Sequence, residues 1–263
     1  MRIYQTKEDD LSRNEDIKKL TNIVSGIPSI RGCITGSSQI GADYDTWEEC
    51  PDIDLFVYTE NMLSYAADAL IMLHGFQPAT KGEEWKLSRI RNRGMARNMT
   101  LSTLKLKHPD YEPLVNVTWK EKRDNLFAVL ASFDMSIVMV GLDIPSGTKL
   151  DLRTGSGFVL NDPKGVWSPS KNVAVPNPLR EQNVDMYGAE MWIRQFSRCI
   201  KYWNRGYDTR PMAMFYIRLI DQVIEDGQLF TTKNSEERYN DFKAEFEPLK
   251  EQMVKWLEDK EDC

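Results

Sequence analysis

The sequence has few histidines, and its few cysteines are far apart. Both features argue against certain catalytic and metal-binding sites. His74 and His108 are its only histidines, so neither a Ser-His-Asp triad nor a three-histidine zinc site is expected. The four cysteines lie far apart with no C-x-x-C pair, at Cys33, Cys50, Cys199 and Cys263. We therefore predict free thiols rather than a zinc site or a disulfide framework.

Long apolar runs are absent as well. No stretch approaches the length needed to cross a bilayer, and the opening segment, MRIYQTKEDDLSRNED, is polar rather than signal-like. We therefore expect a cytoplasmic protein with no membrane association. A net charge of -6 argues against nonspecific nucleic-acid binding over the whole surface, although local basic patches remain compatible with it.

Two aspartates separated by one residue form the central feature of the chain. Ile53, Leu55, Phe56 and Val57 predict a buried strand. Because side chains alternate between the two faces of a strand, Asp52 and Asp54 are expected on one face, about 7 Å apart. Such a pair can converge on Mg²⁺, which prefers oxygen ligands. The alternative is a pair of solvated carboxylates at a strand end.

A turn of small residues, Gly36-Ser37-Ser38, precedes this strand. Gly36 would let the backbone approach a triphosphate, and Ser37 could donate a hydrogen bond to a phosphate oxygen. The acidic segment 42–49 lies between the turn and the strand and is expected to form a solvated loop or the rim of a site.

Residues 28–142 resemble the nucleotidyltransferase superfamily of the DNA polymerase beta type. The resemblance rests on Thr35-Gly36-Ser37 and on Asp52-Ile53-Asp54-Leu55. It implies that Asp52 and Asp54 bind Mg²⁺ or Mn²⁺, and that Gly36, Ser37 and Ser38 hold the phosphates of an NTP substrate.

The position of the third carboxylate in that family is occupied here by Asn116, in the predicted strand 114–119. A helix is predicted at 120–132, after that strand. Asp134 opens the next predicted strand, 133–140, and could supply the missing charge as a third metal ligand that also helps the acceptor hydroxyl lose its proton. The alternative is that Asp134 caps a turn or pairs with a neighbouring cation.

A basic stretch follows a predicted helix at 61–74, which Asn61 is expected to cap and Gly75 to end. Residues 85–90 and 99–106 alternate and predict a hairpin, and the span 85–107 contains seven cations and no acid. This basic hairpin, 85–107, could bind the phosphates of an RNA acceptor. It could equally be charged to prevent edge-to-edge strand pairing.

From Leu179 onward the pattern is helical, with helices predicted at 179–204, 210–226 and 235–260. In the first of these, Arg194, Arg198, Lys201 and Arg205 form a stripe opposite an apolar face. Resemblance to the same superfamily implies that Lys201 meets the triphosphate. Separately, Lys201-Tyr202 and Arg205-Gly206 resemble an uncharacterised viral branch of that superfamily. A basic solvated face is the alternative.

These observations predict an α/β (α+β) protein with a mixed sheet, flanking helices and a helical C-terminal domain. The expected organisation is a catalytic domain at 1–145, a connector with a small hairpin at 146–178 and a helical domain at 179–263. The predicted activity is Mg²⁺-dependent transfer of an NMP from an NTP to an acceptor hydroxyl, with an RNA end favoured. Alternatives are a protein or small-molecule acceptor, an inactive fold that binds a nucleotide or partner, and a plain interaction protein.

Overall fold

The structure, a computed structural model, describes residues 8–44, 52–93, 101–153, 173–177, 186–226 and 235–261. The chain divides into two units. The first contains Met1–Phe133 and Val138–Phe158, and the second contains Asp134–Ile137 and Val159–Cys263. The domain boundaries expected from composition stay a prediction.

The described part of the first unit contains a mixed sheet of seven strands in the order β3-β4-β5-β2-β1-β6-β7. Only the central pair, β2 and β5, is parallel, and the other neighbouring pairs of these strands are antiparallel. The strands are β1 Gly32–Thr35, β2 Asp52–Val57, β3 Gln77–Pro78, β4 Leu101–His108, β5 Tyr111–Lys120, β6 Val140–Ile144 and β7 Lys149–Asp151.

Five helices accompany this sheet in the described residues: α1 Glu8–Ser25, α2 Ser37–Tyr44, α3 Glu60–His74, α4 Lys81–Arg93 and α5 Leu126–Leu130. The apolar faces of α1 and α3 pack with the inward side chains of β2 and β5 in one buried cluster. Burial of each large aliphatic side chain in it contributes about 2 kcal/mol. The predicted α+β class, a mixed sheet with flanking helices, is confirmed.

Helix α3, which packs on the sheet, ends at the predicted residue but begins one residue earlier than predicted. Gly75 adopts a left-handed conformation with φ 74° and its N–H donates to Leu70 O, which closes the helix. Thr59, not Asn61, occupies the position before the first helical residue. Asn61 therefore lies within the first turn of α3 rather than capping it.

The predicted basic hairpin at 85–107 is wrong, because residues 81–93 form α4. Leu87 and Ile90, three residues apart, both enter the core, and this is a helical rather than a strand spacing. Thr80 begins the helix, since its Oγ1 accepts from the N–H of Glu83 at 3.3 Å. The β-hairpin of this region is formed instead by β4 and β5.

Two further expectations around β6 are corrected. The strand predicted at 133–140 is replaced by a 3-10 turn at Ser136–Val138, and β6 begins only at Val140. The helix predicted at 120–132 is shortened to α5, because β5 continues to Lys120 and Asn125 caps the helix by accepting from Ala128 N at 2.9 Å. The apolar segment 157–160, expected in the connector hairpin, lies outside the described residues.

In the second unit the described helices are α6 Met186–Asn204, α7 Arg210–Asp226 and α8 Ser235–Glu261. They confirm the helical C-terminal region. Phe196 of α6 meets Tyr216 of α7 edge to face with ring centroids 5.9 Å apart, and Trp203 of α6 meets Trp256 of α8 at 5.5 Å. None of the helices in the described ranges is long and apolar enough to cross a membrane.

Candidate functional site

The site is built on the polar face of the central strand pair in the first unit. Ile53 and Leu55 of β2 are fully buried in the core, while Asp52 and Asp54 are partly exposed on the opposite face. The parallel register places Asp54 beside Asn116 of β5. Residues paired directly across neighbouring strands project to the same side, so both carboxylates and this amide share one face.

Asn116 joins the two carboxylates. Its Nδ2 donates to Asp52 Oδ2 at 2.7 Å and to Asp54 Oδ1 at 3.0 Å. One oxygen of each carboxylate therefore lies within 3.0 Å of the same nitrogen. Hydrogen bonds to charged acceptors are stronger than neutral ones, so the amide holds the carboxylates close together and offsets part of their mutual repulsion.

Two buried oxygens beside the carboxylates make no hydrogen bond within the described part of the chain. Asn116 Oδ1 is one, on a residue only 7% exposed, and Thr35 Oγ1 is the other, on a residue that is fully buried. Thr35 stands opposite Asp54 in the register of β1 and β2. An unsatisfied buried polar group costs about 1–3 kcal/mol, so a hydrogen-bond partner for either oxygen would relieve that cost.

Within the described residues, the site contains two carboxylates rather than three. Among the described residues no cluster of three or more histidine, cysteine, aspartate or glutamate side chains could hold a metal ion. Asp52 and Asp54 nevertheless bring two carboxylates together, and carboxylate oxygens are the hard donors that Mg²⁺ prefers, whereas Asn116 turns its Nδ2 rather than its Oδ1 toward them. The two carboxylates fit a divalent cation whose remaining ligands would come from outside the protein.

Gly36 shapes the other side of the site. It has φ 77°, a left-handed conformation that glycine adopts without steric cost. A Cβ added here would overlap Asp54 Oδ2 and lie 3.4 Å from Asp54 Cγ. Glycine is therefore required for the Asp54 carboxylate to lie directly against the turn that begins α2.

The serines of this turn differ in their surroundings. Ser38 is fully buried, and its hydroxyl donates to Thr35 O at 3.1 Å, which ties α2 to the end of β1. Ser37, the first residue of α2, is partly exposed. The phosphate-binding roles of Gly36, Ser37 and Ser38 stay predictions, and most of the acidic segment at 42–49 lies outside the described residues.

Lys105 is a further cation on the same face that the sequence reasoning assigned only to the hairpin. It pairs with Asn116 in the register of β4 and β5, and its side chain is exposed. Its backbone N–H donates to Glu83 Oε2 at 3.1 Å, so the edge of β4 is held by the first turn of α4. Strand order, which the sequence does not reveal, brings this lysine next to the site.

A second polar group occupies the same face near the other end of β1. Tyr58 donates to Asp143 Oδ1, and Ser146 donates to Asp143 Oδ2 at 2.6 Å. Burial raises the pKa of the adjacent Cys33 thiol to about 12 and also raises the pKa of Tyr58. Cys33 therefore stays protonated at neutral pH and is unsuited to act as a nucleophile.

Asp134 lies in the second unit, in an ion pair. Both of its carboxylate oxygens accept from Arg198 Nη1 at 2.9 Å, and Oδ2 also accepts from the Tyr216 hydroxyl at 2.8 Å. Burial, with a contribution from the Asp134 charge, raises the Tyr216 pKa well above its usual value and raises the pKa of Cys199 to about 12. Pairing with a cation was one expectation for Asp134; its metal-binding and catalytic roles stay predictions.

The basic stripe of α6 is only partly a solvated surface. Arg198 is turned toward Asp134, whereas Lys201 is exposed, with Nζ 6.0 Å from the centre of the Tyr202 ring. Of the apolar face expected opposite the stripe, Cys199 is buried but Ile200 is 39% exposed. The side chain of Arg194 lies outside the described residues, and contact between Lys201 and a triphosphate stays a prediction.

No protein-family model matches the chain, and no curated protein matches it significantly. Similar solved structures include a tRNA-processing enzyme in an apo form, with 15% identity, coverage of 92% of this chain and 53% of that chain, and a TM-score of 0.41. A tRNA-processing enzyme with CTP gives 13% identity, coverage of 91% and 57%, and a TM-score of 0.44. The Thermotoga maritima CCA-adding enzyme complexed with tRNA is 12% identical, with coverage of 92% of this chain and 55% of that chain, and a TM-score of 0.47. This chain spans little more than half the length of these proteins, so its function is argued from the residues of its own site.

Proposed function

We propose that the protein is a metal-dependent nucleotidyltransferase that moves an NMP from an NTP to an acceptor hydroxyl. The observation that carries the proposal is the convergence of Asp52 and Asp54 on the Asn116 amide, next to a glycine turn that opens a helix. The pair lies at the polar face of a sheet whose other face is a continuous apolar core, so the carboxylates are rigidly positioned yet partly exposed.

Asp52 and Asp54 would hold Mg²⁺ or Mn²⁺. The Asn116 side chain would contribute its oxygen after a 180° rotation of its amide group, which exchanges the positions of Nδ2 and Oδ1. When bound, the cation supplies charge neutralisation of the phosphates and alignment of the attacking and leaving oxygens. Without a cation, the Asn116 amide keeps the two carboxylates assembled, so little rearrangement of the backbone is needed for binding.

The phosphates of the NTP would lie over the turn at the start of α2. The unpaired N–H groups of a helix N-terminus favour anions, and Ser37 is the partly exposed hydroxyl there. Lys105, on the same face of the sheet, would act as a point charge near the site. Lys201 of the second unit keeps its proposed role as a cation for the triphosphate.

In the transfer step, the acceptor oxygen forms a bond to the α-phosphorus while the bond from that phosphorus to the bridging oxygen breaks. Pyrophosphate leaves with the electron pair of the broken bond. The proton of the acceptor hydroxyl passes to a carboxylate oxygen of the Asp52–Asp54 pair, which lies on this face. We favour an RNA end as the acceptor.

The presence of Asn116 in place of a third carboxylate specifically favours one other candidate, a fold that binds an NTP without transferring it. A neutral amide leaves the site with less negative charge for cation binding and one base fewer for proton removal. This candidate predicts NTP binding in the presence of Mg²⁺ with no release of pyrophosphate.

Incubation with each labelled NTP and a short RNA, with and without Mg²⁺, separates these candidates. We expect Mg²⁺-dependent pyrophosphate release and label on the RNA, both abolished by Asp52→Asn and by Asp54→Asn. Asp110→Asn is the matched control, because its side chain is 80% exposed and lies outside the site. Full activity in either site variant would refute the assignment, whereas binding without release would support the inactive fold.

A further inference from the structure

One face of α4 carries a surface that the transfer site does not use. Trp85, Ser88, Arg89 and Asn92 follow one another at intervals of three, one and three residues, so they lie along the same side of the helix. They line a pocket of about 430 Å³. We call these four residues the Trp85 surface.

The indole of Trp85 is unusually accessible for so large an apolar side chain. It is 63% exposed, while Leu87 and Ile90 on the opposite side of the same helix are 3% and 9% exposed. The guanidinium carbon of Arg89 lies 5.5 Å from the centre of the Trp85 ring. An exposed indole can stack on the face of a planar aromatic ligand such as a base, and an arginine beside it can contact the face of the same ligand.

Charge pairing distinguishes Arg89 from Lys86 and Arg91 of the same helix. Lys86 pairs with Glu83 at 2.9 Å, and Arg91 pairs with Asp68. Among the described residues, no carboxylate lies within ion-pair distance of Arg89. Its charge is therefore available to an anionic ligand at the same place as the exposed indole.

The helix that presents this surface is firmly held. Lys86 Nζ donates to Thr103 O of β4 at 2.8 Å, and Glu83 accepts from the backbone of Lys105. Together with the buried Leu87 and Ile90, these contacts fix both the rotation and the position of α4 on the sheet. A preorganised surface loses little conformational entropy on binding.

We infer that the Trp85 surface binds an unpaired segment of RNA, with a base stacked on Trp85 and an adjacent phosphate at Arg89. Ser88 and Asn92 offer a hydroxyl and an amide that can hydrogen-bond to the edge of the base. A ligand that is both aromatic and anionic can contact the indole and the guanidinium together, since no described carboxylate pairs with Arg89. The inference deepens the proposed function, since the bound segment would belong to the acceptor strand, but binding is measurable without any transfer.

The test measures the affinity of the whole chain for a fluorescently labelled, unstructured RNA oligonucleotide by anisotropy. Trp85→Ala should weaken binding roughly tenfold, the usual effect of removing one stacking platform, and Trp85→Phe should restore part of the loss. Arg89→Ala should weaken binding several-fold and reduce the salt dependence by about one phosphate contact, or about 0.7 in the logarithmic slope. Arg91→Ala is the matched control, because it removes the same charge from the same helix where Asp68 already pairs with it.

Equal losses in Arg89→Ala and Arg91→Ala would overturn the inference, since they would show a general charge effect. So would unchanged affinity in Trp85→Ala, tight binding of a duplex competitor, or no RNA binding by the unaltered chain. In the last case, retention of NTP turnover would show that the transfer site is correct and that this surface serves a different partner, such as a protein. Conversely, if the protein binds RNA in a manner that depends on Trp85 but shows no NTP turnover, RNA binding by the Trp85 surface is supported and only the proposed transfer activity is contradicted.

Discussion

Replacement of Gly36 by alanine separates the backbone role of this residue from its role beside Asp54. The added Cβ would overlap Asp54 Oδ2, and the clash is relieved most easily by rotation of the carboxylate. That rotation breaks the 3.0 Å hydrogen bond from Asn116. Gly36→Ala should therefore disassemble the carboxylate pair without unfolding the sheet.

The expected magnitude has two parts. A non-glycine residue in the left-handed region costs about 1 kcal/mol, and loss of a hydrogen bond to a partly exposed carboxylate costs about 1 kcal/mol more. Gly147→Ala isolates the first part, because Gly147 has φ 70° but nothing lies within 4 Å of the added Cβ. We expect Gly36→Ala to lower the free energy of unfolding by about twice as much as Gly147→Ala.

Urea unfolding gives the free energies, and calorimetric titration with Mn²⁺ gives the metal affinity. Gly36→Ala should bind Mn²⁺ roughly tenfold more weakly, since one carboxylate is turned away, while Gly147→Ala should bind it as the unaltered protein does. Equal stability losses and equal metal affinities in the two variants would show that Gly36 is needed only for its backbone conformation. The reasoning about Asp54 would then fail.

Three further outcomes are expected. Asn116→Asp places a third carboxylate between two others, so the melting temperature should fall without metal and rise more steeply with Mn²⁺ than in the unaltered protein; a melting temperature unaffected by the change would contradict the bridging geometry. Asp134→Asn leaves the partly buried Arg198 without its counter-ion. It should therefore lower the free energy of unfolding, measured in urea, by about 2 kcal/mol, and an unchanged value would refute this reasoning. Because burial raises the thiol pKa of Cys33 and Cys199 to about 12, both should resist thiol reagents at pH 8, as site-resolved mass spectrometry would show. Since these folded-state pKa values lie above those of unfolded thiols, their contribution to stability should be complete below about pH 8.5 and decline as the pH rises toward 12.

Local patterns were sufficient to predict much of the fold. The apolar residues of β2 alternate with aspartates, and burial of Ile53 and Leu55 follows directly from that alternation. The helix predicted at 210–226 matches α7, Arg210–Asp226. In both cases the conformation is determined by residues close in sequence, through the spacing of their apolar side chains.

Helix α4 was mispredicted because a short apolar pattern is ambiguous between strand and helix. Trp85, Leu87 and Arg89 alternate with Lys86, Ser88 and Ile90, which suggested a strand. Thr80 followed three residues later by Glu83 is a helix-start signal that was available in the sequence. The structure shows that this signal, together with the Leu87–Ile90 spacing, decides the conformation.

The partners of the site residues could not be read from the sequence, because they depend on long-range register. Asn116 reaches Asp52 only because β2 and β5 are parallel neighbours, although the residues are 64 positions apart. The hydroxyl of Tyr216 reaches Asp134 across 82 positions. The sequence identified Asn116 as an amide in place of a carboxylate, but its role as a donor to both aspartates required the sheet topology.

The position of a bound divalent cation tests the central claim most directly. Crystals grown with Mn²⁺ and a non-hydrolysable NTP analogue would show the metal by its anomalous scattering. We predict a peak about 2.1 Å from one carboxylate oxygen of Asp52 and one of Asp54, in contact with the triphosphate. A triphosphate bound away from these aspartates, or a metal bound elsewhere while Asn116 still bridges the pair, would contradict the account.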